Sequence, residues 1–102
     1  MDEPVEGASR ASRQVRIVNP EGMHVRAVSL LSQLARRFQA SVTVSNHDLR
    51  ADAKTSPMHL LALGAQPGDE LTIEAVGPDA QEAVEAIARL IENRFEELPP
   101  EG

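Results

Sequence analysis

Residues 15–38 read VRIVNPEGMHVRAVSLLSQLARRF, and within this one stretch the hydrophobic period changes from two to about 3.6. Val15 and Ile17 flank Arg16 as the residues of a half-buried strand do, and the turn formers Asn19, Pro20 and Gly22 follow. From Val25 the apolar residues Ala27, Leu30, Leu31, Leu34 and Phe38 recur at helical spacing, leaving Arg36, Arg37 and Gln39 for solvent. A strand that hands over to an amphipathic helix predicts a sheet covered by helices.

The rest of the chain continues the alternation. Val42 and Val44 alternate within Ser41 to Ser45, Asn46, His47 and Asp48 make a turn, and Leu49, Ala51 and Ala53 alternate beyond it, which predicts a hairpin. Ser56 followed by Pro57 reads as a helix cap with proline at the first helical position, and Met58, Leu60, Leu61 and Leu63 run to a stop at Gly64. After the turn at Pro67 and Gly68 a fourth strand carries Leu71, Ile73 and Ala75. A last helix opens at Asp79, with Glu82 three residues on as in a capping box, and has the apolar stripe Ala83, Val84, Ile87, Leu90, Ile91 and Phe95. The predicted fold is α+β: an open-faced two-layer sandwich of order β-α-β-β-α-β-α, a mostly antiparallel four-stranded sheet with three helices on one face. Residues 1–12 hold almost no large apolar side chain and are expected to be a flexible tail; 13–97 form the domain, and 98–102, with Pro99 and Pro100, are expected to fray.

Composition excludes several chemistries. The chain of 102 residues has no cysteine, so disulfides, thiolate metal sites and thiol nucleophiles are absent. Sixteen acidic against ten basic residues give a formal charge of −6, the wrong sign for nucleic-acid binding, and two Phe with no Trp or Tyr provide no stacking platform. The short apolar runs, and an N-terminus without a basic or apolar leader pattern, lead us to expect a cytoplasmic protein with no membrane insertion. His47 and His59 have no ligand constellation near them in the sequence and are read as solvated; neither a metal nor a cofactor is expected.

The chemistry concentrates at the junction of the first strand and first helix, where Asn19-Pro20-Glu21-Gly22-Met23-His24-Val25-Arg26 places an imidazole just ahead of a helix N-terminus. The first amides of a helix have no intrahelical partner and favour anions. A neutral imidazole nitrogen is a nucleophile near neutral pH, and the backbone N–H groups of Val25 and Arg26, with the Arg26 guanidinium, could hold a phosphoryl group attached to it. Such a site needs positioning and charge rather than a metal. The same spacing also suits a histidine that only caps or is solvated.

The stretch Asn19 to Arg26, together with Ala53-Lys54-Thr55-Ser56-Pro57-Met58, Ala62-Leu63-Gly64-Ala65 and Pro67-Gly68-Asp69-Glu70, resembles the HPr family of the bacterial sugar phosphotransferase system over about residues 14–97. The resemblance implies a phosphoryl carrier rather than an enzyme. The group would come from phosphoenolpyruvate through Enzyme I to Nδ1 of His24, with Arg26 as companion, and pass to a histidine of an Enzyme IIA domain. Many members read His-Ala-Arg-Pro; here Ala27 stands at the proline position. The resemblance also implies a regulatory serine, matched by Ser56 with Thr55 as rival, for an HPr kinase/phosphorylase, and an exposed docking patch that includes Met58 and Leu61, while Leu60 and Leu63 belong to the core. A monomer is the default. Two other readings stay open: a regulatory or nitrogen-branch paralogue, and a sensing or oligomerisation domain that uses no phosphate.

Overall fold

The computed structural model describes residues 9–100. Its elements are β1 (Arg10–Arg16), α1 (Val25–Ala35), β2 (Ser41–Asn46), β3 (Leu49–Asp52), α2 (Pro57–Leu61), β4 (Glu70–Val76) and α3 (Ala80–Glu92). The sheet has the order β1-β4-β2-β3, and every neighbouring pair is antiparallel. β4 is therefore central, paired with β1 from Arg10↔Val76 to Arg16↔Glu70 and with β2 from Ser41↔Val76 to Ser45↔Thr72.

Alternation sets the two faces. Val15, Val42, Val44, Leu71, Ile73 and Ala75 are buried against Leu31, Leu34, Val84, Ile87 and Ile91 of the helices, whereas Ser12, Gln14, Thr43, Ser45, Thr72 and Glu74 form a polar outer face. α3 packs on β1 and β4, and α1 lies against α2 and α3. Arg13 falls in the inward row of β1 and reaches past it to α3, where its guanidinium donates to Glu85 at 2.7 Å and Glu92 at 2.9 Å. The Arg13 side chain is half-buried there.

Three boundaries differ from the sequence reading. β1 begins at Arg10, so Arg10, Ala11 and Ser12 belong to the sheet; the residues expected to form the rest of the N-terminal tail lie outside the described ones, apart from Ser9, whose carbonyl accepts from Gly77 N–H at 2.8 Å. Local composition misses this because β1 is an edge strand with polar residues on its open face. α1 ends at Ala35, and Phe38 packs from the following turn. At the other end, Leu98 packs on the core and Arg37 donates to the Pro99 carbonyl at 2.7 Å, so the segment after Glu97 is held at least to Pro99. Glu101 and Gly102 lie outside the described residues.

Asp79 is also used differently. It occupies the cap position of α3 but makes no side-chain bond to that helix; its carboxylate accepts from the amides of Gln39 at 2.9 Å and Ala40 at 2.8 Å, closing the turn between α1 and β2. Gly77, with φ +150°, allows that approach, since a Cβ there would lie 2.5 Å from Ala40 Cα. Burial alone would raise the Asp79 pKa, but these two amides, its own amide and the charge of Lys54 together hold it below the ordinary aspartate range. A group so depressed stabilises the fold fully above its unfolded pKa and loses that contribution as pH falls through the folded one. Asp79→Asn should therefore cost roughly 1–2 kcal/mol at neutral pH, and the gap to wild type should close on acidification below the ordinary aspartate range. Paired thermal melts at neutral and strongly acidic pH check this.

Candidate functional site

The loop from β1 to α1 is held at both ends. Ile17 N–H donates to the Asp69 carbonyl and Gly68 N–H to the Ile17 carbonyl, each at 2.9 Å, fastening the end of β1 to the turn before β4. Buried Asn19 then closes a loop on itself: Nδ2 donates to the Gly22 carbonyl at 2.7 Å, and Gly22 N–H donates to the Asn19 carbonyl at 3.1 Å. Gly22 has φ +67°, and a Cβ there would stand 2.8 Å from the Ala65 oxygen, so the tight passage requires glycine. Met23 is buried and its N–H donates to that same oxygen at 3.1 Å. These anchors deliver the next residue, half-buried His24, to the cap position of α1 in an extended conformation.

At that position the imidazole does what Ser or Asp does elsewhere. His24 Nδ1 accepts from the Ala27 N–H at 3.2 Å, and the His24 carbonyl takes the first helical bond from Val28 at 3.0 Å. In the neutral ring an accepting Nδ1 puts the proton on Nε2. The Val25 and Arg26 amides lie ahead of the first intrahelical bond, as the sequence suggested, while the amide that reaches Nδ1 is that of Ala27. No acidic residue occupies the first turn, so the positive helix end is uncompensated there.

Arg26 is placed by the far end of the chain. Its guanidinium donates to the carbonyls of Phe95 at 3.3 Å and Glu96 at 3.1 Å. Those carbonyls are presented by the reversal after α3, a Schellman-type turn in which Phe95 N–H donates to the Leu90 carbonyl at 2.9 Å and Arg94 N–H to that of Ile91 at 3.0 Å. Phe95 is fully buried and anchors the turn. Asn19, Pro20, Glu21, His24, Arg26, Arg94 and Glu96 together line an open depression of about 580 Å³. The sequence reading found His24 and Arg26 and missed Arg94 and Glu96, because nothing local to residues 94–96 signals a partner some seventy positions away; Phe95 registers only as the end of an apolar stripe.

The second segment of interest is the start of α2. Ser56 is its N-cap, with Oγ accepting from Met58 N–H at 3.1 Å and Pro57 at the first helical position; Thr55 is exposed and does not cap. Met58 is 59% exposed, whereas Leu61, expected on the docking surface, is half-buried and packs against the core. Leu60 and Leu63 are in the core. Val25, at the start of α1, is a further exposed apolar side chain, at 62%. His47 and His59 are exposed, and the described residues contain no cluster of three or more His, Asp or Glu that could hold a metal ion.

Comparison with known proteins identifies the family to which this fold belongs. The family model described as "PTS HPr component phosphorylation site" matches residues 11–93. The chain is 44% identical over 85 residues to the phosphocarrier protein HPr of Cupriavidus necator, covering 83% of this chain and 94% of that one. It is 39% identical over 85 residues to the phosphocarrier protein NPr of Proteus mirabilis, with the same coverages of 83% and 94%. Among solved structures, HPr-C-His from Thermoanaerobacter tengcongensis superposes with a TM-score of 0.79 at 31% identity, over 87% of this chain and 99% of that one. The fold and these matches define a small phosphocarrier of the phosphotransferase system. The chain belongs to the HPr family.

Proposed function

We propose that the protein accepts a phosphoryl group from phosphorylated Enzyme I on Nδ1 of His24 and passes it to a histidine of an Enzyme IIA domain. The observation that carries this reading is the Nδ1 contact with the Ala27 amide: the lone pair faces the positive end of α1, and the ring proton is left on Nε2. In the transfer from a phosphohistidine of Enzyme I, as the family resemblance implies, the Nδ1 lone pair attacks phosphorus while the donor's N–P bond breaks and its electron pair returns to the donor imidazole. No proton need move at Nδ1. The Ala27 N–H is then released from nitrogen and, with the Val25 and Arg26 amides, can donate to phosphoryl oxygens. Incubation with phosphoenolpyruvate and Enzyme I should add one phosphate that is lost in acid and kept in base, as a phosphoramidate is; a protein that stays unlabelled, or carries an acid-stable ester instead, would end this reading. The similarity to an NPr protein favours a second reading, a nitrogen-branch carrier, which acceptance or refusal of the phosphate by sugar-specific Enzyme II proteins would separate from the first.

Arg26 acts on this reading as a charged neighbour of the phosphoryl group. Arg26→Ala should leave the core intact, since the side chain is exposed and among the described residues bonds only to two carbonyls, while slowing transfer by roughly ten-fold or more. Stopped-flow or quench measurement in both directions checks it; unchanged rates remove Arg26 from the site.

Ser56 is proposed as a site of regulation by an HPr kinase/phosphorylase. A negative charge at this cap meets the positive end of α2, so Ser56→Asp should be neutral or stabilising by roughly 0.3–1 kcal/mol. Beside exposed Met58 it should weaken docking of an apolar or acidic partner surface and slow phosphoryl transfer to His24. Melting temperature and transfer rate, measured on one preparation, test both halves.

A further inference from the structure

Arg94 has a conformation that the proposed carrier mechanism does not explain. It has φ 63°, and Phe95 after it has φ 55°, so two successive non-glycine residues sit in the left-handed region where the first, at the C′ position of a Schellman turn, is ordinarily glycine. Burial of Phe95 accounts for the second. Nothing buried accounts for the first: Arg94 is exposed, and among the described residues its guanidinium makes no hydrogen bond or ion pair. What the turn does is bring Arg94 to the wall of the depression that holds His24 and Arg26.

The charges around that depression explain why a second cation matters. Glu21 and Glu96 both line it, and either carboxylate disfavours a dianionic phosphoryl group. Arg26 offsets one of them and is tethered to the Phe95 and Glu96 carbonyls. Arg94 is the remaining cation on the wall and is untethered. We propose that Arg94 is a second phosphoryl-binding residue, whose guanidinium donates to the oxygens of the group carried on His24. This deepens the carrier reading and rests on it.

The test is Arg94→Gly, with Arg94→Lys beside it. Glycine suits the left-handed backbone, so the glycine variant should melt at or above the wild-type temperature while its phosphoryl transfer from Enzyme I falls by about ten-fold. Lysine should recover part of that loss, since it restores charge without the paired donors. Contact with the phosphoryl group itself is read on isolated phosphorylated protein with no partner present. There the ³¹P resonance should move in the glycine variant, and the phosphohistidine half-life in buffer should change by about two-fold or more. Wild-type transfer by the glycine variant overturns the proposal, and so does slowed transfer with the ³¹P resonance and half-life unchanged, which would place Arg94 against the partner protein. If wild-type protein is never labelled, the carrier reading fails separately. Inorganic phosphate then probes the depression alone: shifts of the His24 and Ala27 amides that vanish in the glycine variant would support Arg94 as an anion ligand, and their absence in wild type would end the proposal.

Discussion

His24→Ala is expected to abolish labelling by Enzyme I and phosphoenolpyruvate while leaving a folded protein. The two halves of that statement rest on different parts of the structure. The alanine removes the proposed nucleophile, and neither exposed histidine is placed to replace it: His47 is in the β2–β3 turn with φ 56°, and His59 is on the face of α2, neither with a free helix start beside its ring. The fold loses one cap, the bond from Ala27 N–H to Nδ1, at a cost of about 1 kcal/mol for an interaction of this kind. The anchors that shape the loop, Asn19 to Gly22 and Met23 to Ala65, do not involve the imidazole. Mass spectrometry of the labelled protein and a circular dichroism melt are sufficient. Full labelling of the variant would show that the nucleophile lies elsewhere.

Phe95→Ala should be the more damaging change to the fold, and it should reach the site as well. The ring is fully buried, and truncations of this size leave cavities costing roughly 3–5 kcal/mol. In a domain of this length that corresponds to a fall in melting temperature of roughly 15 °C or more. The variant also loosens the turn whose carbonyls hold Arg26, so transfer should slow even where most molecules remain folded. A loss of only a few degrees would mean that the turn is held by its backbone bonds rather than by the ring.

The element order was legible because each element obeys a local rule. Val42 and Val44 alternate, Leu30, Leu31 and Leu34 follow the helical period, and Ser56-Pro57 starts α2 as such a pair should. What escaped depends on partners distant in sequence. Arg13 faces inward to donate to Glu85 and Glu92 of α3, and Asp79 accepts from two amides of the α1–β2 turn rather than from its own helix. At the site, the imidazole and the first guanidinium were legible from a histidine preceding a helix, and the opposite wall was not, since Arg94 and Glu96 reach the depression only through the reversal that buries Phe95.

The strand order has a kinetic consequence. β1 pairs only with β4, so the first strand of the chain finds its hydrogen-bonding partner more than fifty residues later, whereas the β2–β3 hairpin closes through a two-residue turn. During synthesis α1 and the hairpin can form early, but the His24 loop has no fixed end until β4 and its preceding turn have emerged, and Arg26 has no carbonyls to hold until α3 has followed. The depression is thus among the last features of the domain to be completed, and a nascent chain that displays His24 does so without the wall opposite it.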